Sequence, residues 1–356
     1  MAHTLYPALI AAMTGYALWA PTWDVTARLG LPATATPAVL TLGGIALFYS
    51  LIAGLEQVRP YRRDWWRSHD DLGTDTLHLL VTGPASAAFF DAAVRGAAAS
   101  GGALLASRLG SPLWPVHAPM IVQLFLAVLV AEFGHYAFHR LSHEHPLLWR
   151  LHATHHSAQR LYWLNATRFH PLDLVALITC QSTPLLLLGI DPQAYVSYTL
   201  FASVYGQLQH CNVVAPSGRV LDWIFSTPGI HRWHHSTDLR EGNHNYGAIL
   251  SLWDHVFDSY FRPRDRDFEG VVGIAAMPAF PTHYLGQLLS PVRWQEIADE
   301  PRDAARRRTQ AVNARRVVRS RRQSGGHSQP PTTETPPASS ELHRDGTAAR
   351  RRRGRS

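Results

Sequence analysis

The sequence predicts an all-α protein: an integral-membrane helical bundle with a cytosolic, His-rich, metal-binding cap and a disordered C-terminal tail. Three observations lead there. Apolar runs without charge recur before residue 210, at close to the length a bilayer demands. Of the 21 histidines, 14 lie between His135 and His255. Residues 301–356 hold 15 Arg against four Asp or Glu and almost no large apolar side chain.

The formal net charge of +7 therefore belongs to the tail, whose net of +11 leaves −4 for the first 300 residues. The basic balance is no mark of a nucleic-acid-binding body, and no nucleic-acid partner is expected. The tail is rich in Pro, Ser and Thr and buries too little surface to offset the entropy of ordering, so it reads as disordered. Its Arg clusters suit attraction to anionic lipid, or solvation without function, better than nucleic acid. Two cysteines exclude a disulfide framework and any cysteine-based zinc module.

Leu5–Ala20 is uncharged. It reads as a retained helix rather than a signal peptide, because no basic region precedes it. Ala38–Leu55 is again uncharged and is followed by RPYRRDWWR. There Arg59, Arg62, Arg63 and Arg67 surround Trp65 and Trp66. Short Arg-rich loops stay cytoplasmic, and Trp favours the interface. Leu77–Leu109 is apolar but holds Asp91 and Arg95, which blurs its boundaries. Met120–Ala131 is the next apolar run. Leu174–Ile190 and Ala194–Leu208 form a hairpin split by Asp191–Pro192. Six crossings with both termini inside satisfy the basic loop and the basic tail. The competing reading is a soluble protein with buried core helices, since several runs span only 15 to 18 residues.

The histidines follow this order. His135 and His139 (HYAFH) stand four apart, on one face of a helix. His152, His155 and His156 form HATHH, and His231, His234 and His235 form HRWHH. His170 and His210 flank the hairpin, which returns the chain to the side it left. A topology drawn only from apolar runs and arginines thus sends all ten to one face. Imidazole suits Fe, Zn, Cu and Ni. One tetrahedral zinc takes about four ligands, so this number fits two ions of higher coordination better. A lone HxxxH is weak; two HxxHH motifs with HxxxH on one face are strong. His143, His145, His244 and His255 read as supporting or surface positions, His69 and His78 as structural, and Cys211 as a buried thiol.

From Gln123 to Pro263 these residues resemble the fatty acid hydroxylase / sterol desaturase superfamily of integral-membrane di-iron enzymes. The matching pieces are HYAFH, HATHHS, NATRFHPLD (Asn165–Asp173), QHCNV, HRWHHS, NYG (Asn245–Gly247) and SLWDHVFDSYFRP (Ser251–Pro263). One departure is Asp258–Ser259, where the family has a small Gly-Thr pair. The resemblance implies two irons, O2 as co-substrate, and hydroxylation or desaturation of a lipid C–H bond, sterol or fatty-acyl in class. It implies His135, His139, His152, His155, His156, His231, His234 and His235 as metal ligands, His210 as a ninth, and His170 with less support. No catalytic residue beyond the ligands is implied. Glu132, Asp173, Asp238 and Asp254 are candidate carboxylates for orienting imidazoles.

No Gly-rich dinucleotide fingerprint, iron–sulfur cysteine cluster or haem-binding domain is present, so electrons are expected from an external reductase or ferredoxin-type donor. The chain divides into N-terminal transmembrane helices (1–115), a catalytic domain (116–265), an extension (266–300) and the tail (301–356). The functional alternative is a membrane metal-binding or transport protein. Transport places ligands at the bilayer midplane in broken helices, whereas these histidines follow helix ends.

Overall fold

The computed structural model describes residues 2–20, 36–274 and 276–300, with residue 310. The expected disorder of the tail falls outside the described residues. Among the described residues the regular elements are helical, and extended pairing is limited to three isolated bridges, Pro60 with Val213, Phe225 with Leu250 and Ser236 with Val272.

The helices run α1 (Ala2–Trp19), α2 (Thr36–Val58), α3 (Leu72–Leu109), α4 (Met120–Glu144), α5 (Pro146–His156), α6 (Pro171–Leu187) and α7 (Pro192–His210). Three are long and apolar enough to cross a membrane: α2 from Val39, α3 and α4; α6 is a shorter apolar helix. The blurred run at Leu77–Leu109 is part of one helix of 38 residues. Two π-helical turns, His78–Thr82 and Asp91–Arg95, lie within it. Its two charges are tolerated because they pair, Arg95 Nε to Asp91 Oδ1 at 2.7 Å. The Arg95 guanidinium also lies 4.9 Å from the Tyr195 ring centroid.

Successive helices alternate in direction, and contacts between their ends sort them to two sides. On one side Tyr6 of α1 bonds Tyr205 of α7 at 2.6 Å, and Arg168 before α6 pairs with Asp75 of α3 at 2.6 Å. On the other, the Trp114 N–H before α4 donates to the Leu188 carbonyl after α6. Helix α7 is central: Tyr198, Phe201, Val204 and Tyr205 pack with Leu9 and Met13 of α1, Phe48 and Ile52 of α2, and Leu124 and Val128 of α4. Outward faces carry exposed Leu47, Leu80, Phe89 and Phe125, apolar surface that a bilayer covers. Helices α4 and α6 touch backbone to backbone at Gly134, where a Cβ would stand 2.0 Å from the Cys180 carbonyl oxygen.

On the first side the chain builds a cap from α8 (Gly218–Ile224), α9 (Pro228–His234), α10 (Leu239–Gly242), α11 (Leu252–Val256), α12 (Tyr284–Leu289) and α13 (Trp294–Asp299). A buried ionic lattice ties this side together. Arg160 clamps Asp71 through two bonds of 2.8 and 2.9 Å, and Asp75 accepts from both Arg168 and Tyr162. Each buried charge is thereby paired.

Candidate metal centre

One face of a long helix, two short helices and one helix end deliver the histidines. On α4 a step of four residues places His135, His139 and His143 along one face. Helix α5 starts at Pro146, a residue suited to a first helical position, and ends in His152, His155 and His156. Helix α9 starts at Pro228, with the Thr227 hydroxyl accepting from the Ile230 N–H, and carries His231, His234 and the following His235. His210 is the last residue of α7.

Nine imidazoles, eight buried and His143 half-buried, form two groups. His139, His143, His152, His156 and His234 have ligand atoms within 4.8 Å of one another, as do His155, His210, His231 and His235. In the first group all five Nε2 atoms are buried without a hydrogen-bond partner. In the second the Nε2 atoms are 3.0 Å apart for His235 and His231, 3.1 Å for His231 and His210, and 3.3 Å for His210 and His155. Metal–nitrogen bonds of about 2.1 Å place neighbouring ligand nitrogens roughly 2.9–3.4 Å apart. The spacing and the orphaned nitrogens fit a metal ion in each group.

In five of the nine the opposite ring nitrogen is anchored, whereas Nδ1 of His231 and of His235 is buried without a hydrogen-bond partner. His139 Nδ1–H donates to the Tyr246 carbonyl (2.7 Å), His234 to that of His244 (2.7 Å), His210 to that of Gly206 (3.0 Å) and His155 to that of Arg168 (3.3 Å). His152 donates to Asp173 Oδ2 at 2.9 Å. These bonds fix the tautomer and turn each Nε2 lone pair inward. Burial holds His155, His156, His231 and His235 well below the usual imidazole range, and His234 at about 3, so the rings stay in the neutral, ligating form.

The structure departs from the sequence expectation at three histidines. His143 joins the first group, although it was read as a supporting position; the signal was its repeat of the four-residue step from His139. His135 stands outside both groups, its Nδ1 taken by the Gln181 amide at 2.8 Å. His170 is also outside: it caps α6, accepting from the Leu172 N–H, and its Nε2 bonds the Leu288 carbonyl. Among the candidate carboxylates only Asp173 meets an imidazole. Glu132 accepts from the Ile249 and Leu250 N–H groups, Asp254 from those of Tyr246 and Gly247, and Asp238 caps α10. Cys211 is buried outside both groups; burial pushes its thiol up to about 12. The carbonyls of Tyr246 and His244 had no sequence signal, since every residue has one.

Two of the cavities that reach the histidines share none of them. One, of about 130 Å³, touches His139, His152, His155, His210 and His231 and is walled by Phe138, Leu177 and Ala202 of α4, α6 and α7. The other, of about 380 Å³, lies in the cap and touches His143, His156 and His234 beside Trp149 and Met277.

The fatty acid hydroxylase family model matches residues 124–259. The chain is 37% identical over 271 residues to an ornithine lipid hydroxylase, OlsE, of Rhizobium tropici, covering 74% of this chain and 80% of that protein. It is 33% identical over 136 residues to the alkylglycerol monooxygenase of Homo sapiens, covering 38% of this chain and 30% of that longer protein. A very-long-chain aldehyde decarbonylase, GL1-9, of Oryza sativa subsp. indica is 28% identical over 151 residues, 41% of this chain and 58% of that protein. No solved structure matches the chain.

Proposed function

The chain belongs to the fatty acid hydroxylase family, and on that premise we propose that it is a membrane-bound di-iron oxidoreductase that uses O2 to hydroxylate a C–H bond of a lipid. The observation that carries the reading is the nine-imidazole constellation, five and four, with Nε2 atoms convergent. Iron is favoured over zinc because two nitrogen-rich groups of this size exceed tetrahedral zinc's needs, and imidazole suits iron. Bound there, two irons would supply the redox chemistry that couples O2 to C–H oxidation.

The residues of the chain do the rest. Backbone carbonyls and Asp173 hold five of the imidazoles in one tautomer. Phe138, Phe169, Leu177, Ala202 and Ile249 line the smaller cavity with apolar surface between membrane helices, which suits an alkyl chain and excludes water. The larger cavity gives the cap side its own approach to the same centre, apart from the lipid. The relatives named above act on an ornithine lipid and an alkylglycerol, so a chain-bearing amphiphile is the favoured substrate over a sterol. Electrons come from a separate reductase or ferredoxin-type donor. The Arg62 N–H, in the basic loop, bonds the Asn212 side chain beside the histidines, so the positive-inside tendency makes this side cytoplasmic. Transport is less well supported, because the two groups collect at helix ends and in the cap.

The test is metal content with turnover. Purified protein should hold two irons per chain. It should add one oxygen atom to a lipid by mass spectrometry, and His234→Ala should lose the first group's metal and all turnover. A product that lacks two hydrogens instead makes the reaction a desaturation; full turnover without iron overturns the reading.

A further inference from the structure

A separate cavity, of about 720 Å³, lies away from the grouped histidines, between α8, α11 and residues 260–264. Arg219, Trp223, His255, Tyr260, Arg262 and Arg264 line it, and no carboxylate does. We propose that this groove binds the anionic headgroup of a membrane phospholipid.

The floor is built and fixed. Asp222, buried beneath, accepts from Arg262 Nε at 2.7 Å, and its carbonyl accepts from the Tyr260 hydroxyl at 3.2 Å. The His255 ring donates Nε2–H to the Trp223 carbonyl at 2.9 Å and stacks near Tyr260, with centroids 4.2 Å apart. One arginine is therefore neutralised and positioned. Arg219 and Arg264 are exposed, and neither has an ion-pair partner among the described residues. The groove presents two uncompensated positive charges over an aromatic wall.

The surroundings identify what meets those charges. Val220 is 72% exposed and Trp223 60%, and on the neighbouring helix Val256 is 58% exposed. This apolar surface continues onto the bundle through rings in contact. Phe257 lies 6.3 Å from Trp253, and Trp253 lies 4.8 Å from Phe133, an outward-facing residue of α4. Apolar surface that runs from a spanning helix to a rim of Trp, Tyr and Arg matches the passage from hydrocarbon to headgroups. Phosphate at that depth is the anion available, and arginine is suited to it. The site also bears on the reaction centre's placement. Phe225 after α8 bridges Leu250, and the Ser226 N–H donates to the carbonyl of Ile249, which lines the smaller histidine cavity.

The test uses the full chain in phosphatidylcholine membranes with spin-labelled phosphatidylglycerol or phosphatidylcholine, reading relative association by electron spin resonance. It needs neither iron nor turnover, so it stands apart from the activity assays. The wild type should prefer phosphatidylglycerol. The R219A/R264A variant should lose preference by about fivefold per arginine, the scale expected for a basic residue at an anionic surface. R219K/R264K, which keeps the charges, should retain most of it. R240A, which removes an exposed arginine elsewhere in the cap, should retain all of it. Unchanged preference in R219A/R264A overturns the proposal, as does an equal loss in R240A. Displacement of the labelled lipid by excess inorganic phosphate overturns the lipid assignment.

Discussion

His155 and His210 point their Nε2 atoms at one another across 3.3 Å, while each donates its Nδ1–H to a backbone carbonyl. A carbonyl only accepts, so each neutral ring must keep a bare lone pair on Nε2. Two facing lone pairs repel at that distance, and a cation between them reverses the sign. Metal binding is therefore expected to stabilise the cap. Chelation should lower the thermal midpoint, and ferrous iron should restore it. Equal midpoints with and without chelator would remove the argument.

The two groups share no histidine, so each should load on its own. His235→Ala removes one of four ligands from the second group and none from the first. The variant is expected to retain about one metal per chain, below the two of the intact site. Elemental analysis of purified protein reads this directly, and an undiminished content would show that the groups are not separate sites.

Among the described residues Asp173 is the one carboxylate that orients a grouped histidine, at 2.9 Å from His152 Nδ1. Asp173→Asn keeps an acceptor and the size but loses the negative charge that raises the ligand's basicity. Partners of this kind typically contribute 10–100-fold in metal affinity or activity. A loss of about tenfold in iron affinity is expected for Asn and a larger one for Ala. Unaltered affinity in both variants would reduce Asp173 to a packing role.

Replacing His143 should abolish metal loading in the first group, whereas His135→Ala and His170→Ala should keep both metals. His135 lines the smaller cavity, so its loss should raise KM more than it lowers kcat. Metal retained in His143→Ala, or lost in His135→Ala, would return the assignment to the sequence reading. What the sequence makes legible has local determinants. Apolar runs mark the three helices long enough to cross a membrane, and the HxxHH motifs hold six of the nine grouped histidines. Spacing does not choose where two registers are equally good. A face with His at 135, 139 and 143 offers two HxxxH pairs, and which of them joins the other histidines depends on how α4 packs in the bundle, where it meets α6 backbone to backbone at Gly134. The carbonyl anchors of His139 and His234 and the capping of α6 by His170 depend on long-range folding, which no spacing encodes.

Asp254 reaches the metal site through the backbone. Its carboxylate accepts from the Tyr246 N–H, the Gly247 N–H and the Ser259 hydroxyl, at 2.8, 2.9 and 2.7 Å. The turn it holds carries the Tyr246 carbonyl that orients His139, and it is tight enough that a Cβ on Gly247 would stand 2.3 Å from the Leu250 carbonyl oxygen. Burial pushes this carboxyl up from 3.8 to about 6. Between those values the folded protein holds a proton that the unfolded chain releases, so the group favours folding as pH falls through about 6 towards 3.8. Activity runs the other way, because a protonated carboxyl surrenders an acceptor that the turn needs. The wild-type profile of kcat/KM should therefore lose activity on acidification with a midpoint near 6. Asp254→Asn, which places an amide donor against a backbone donor at all pH values, should lower activity by at least about tenfold and erase that midpoint. A midpoint that survives in the variant would belong to another group, and Asp254 would then have no part in orienting His139.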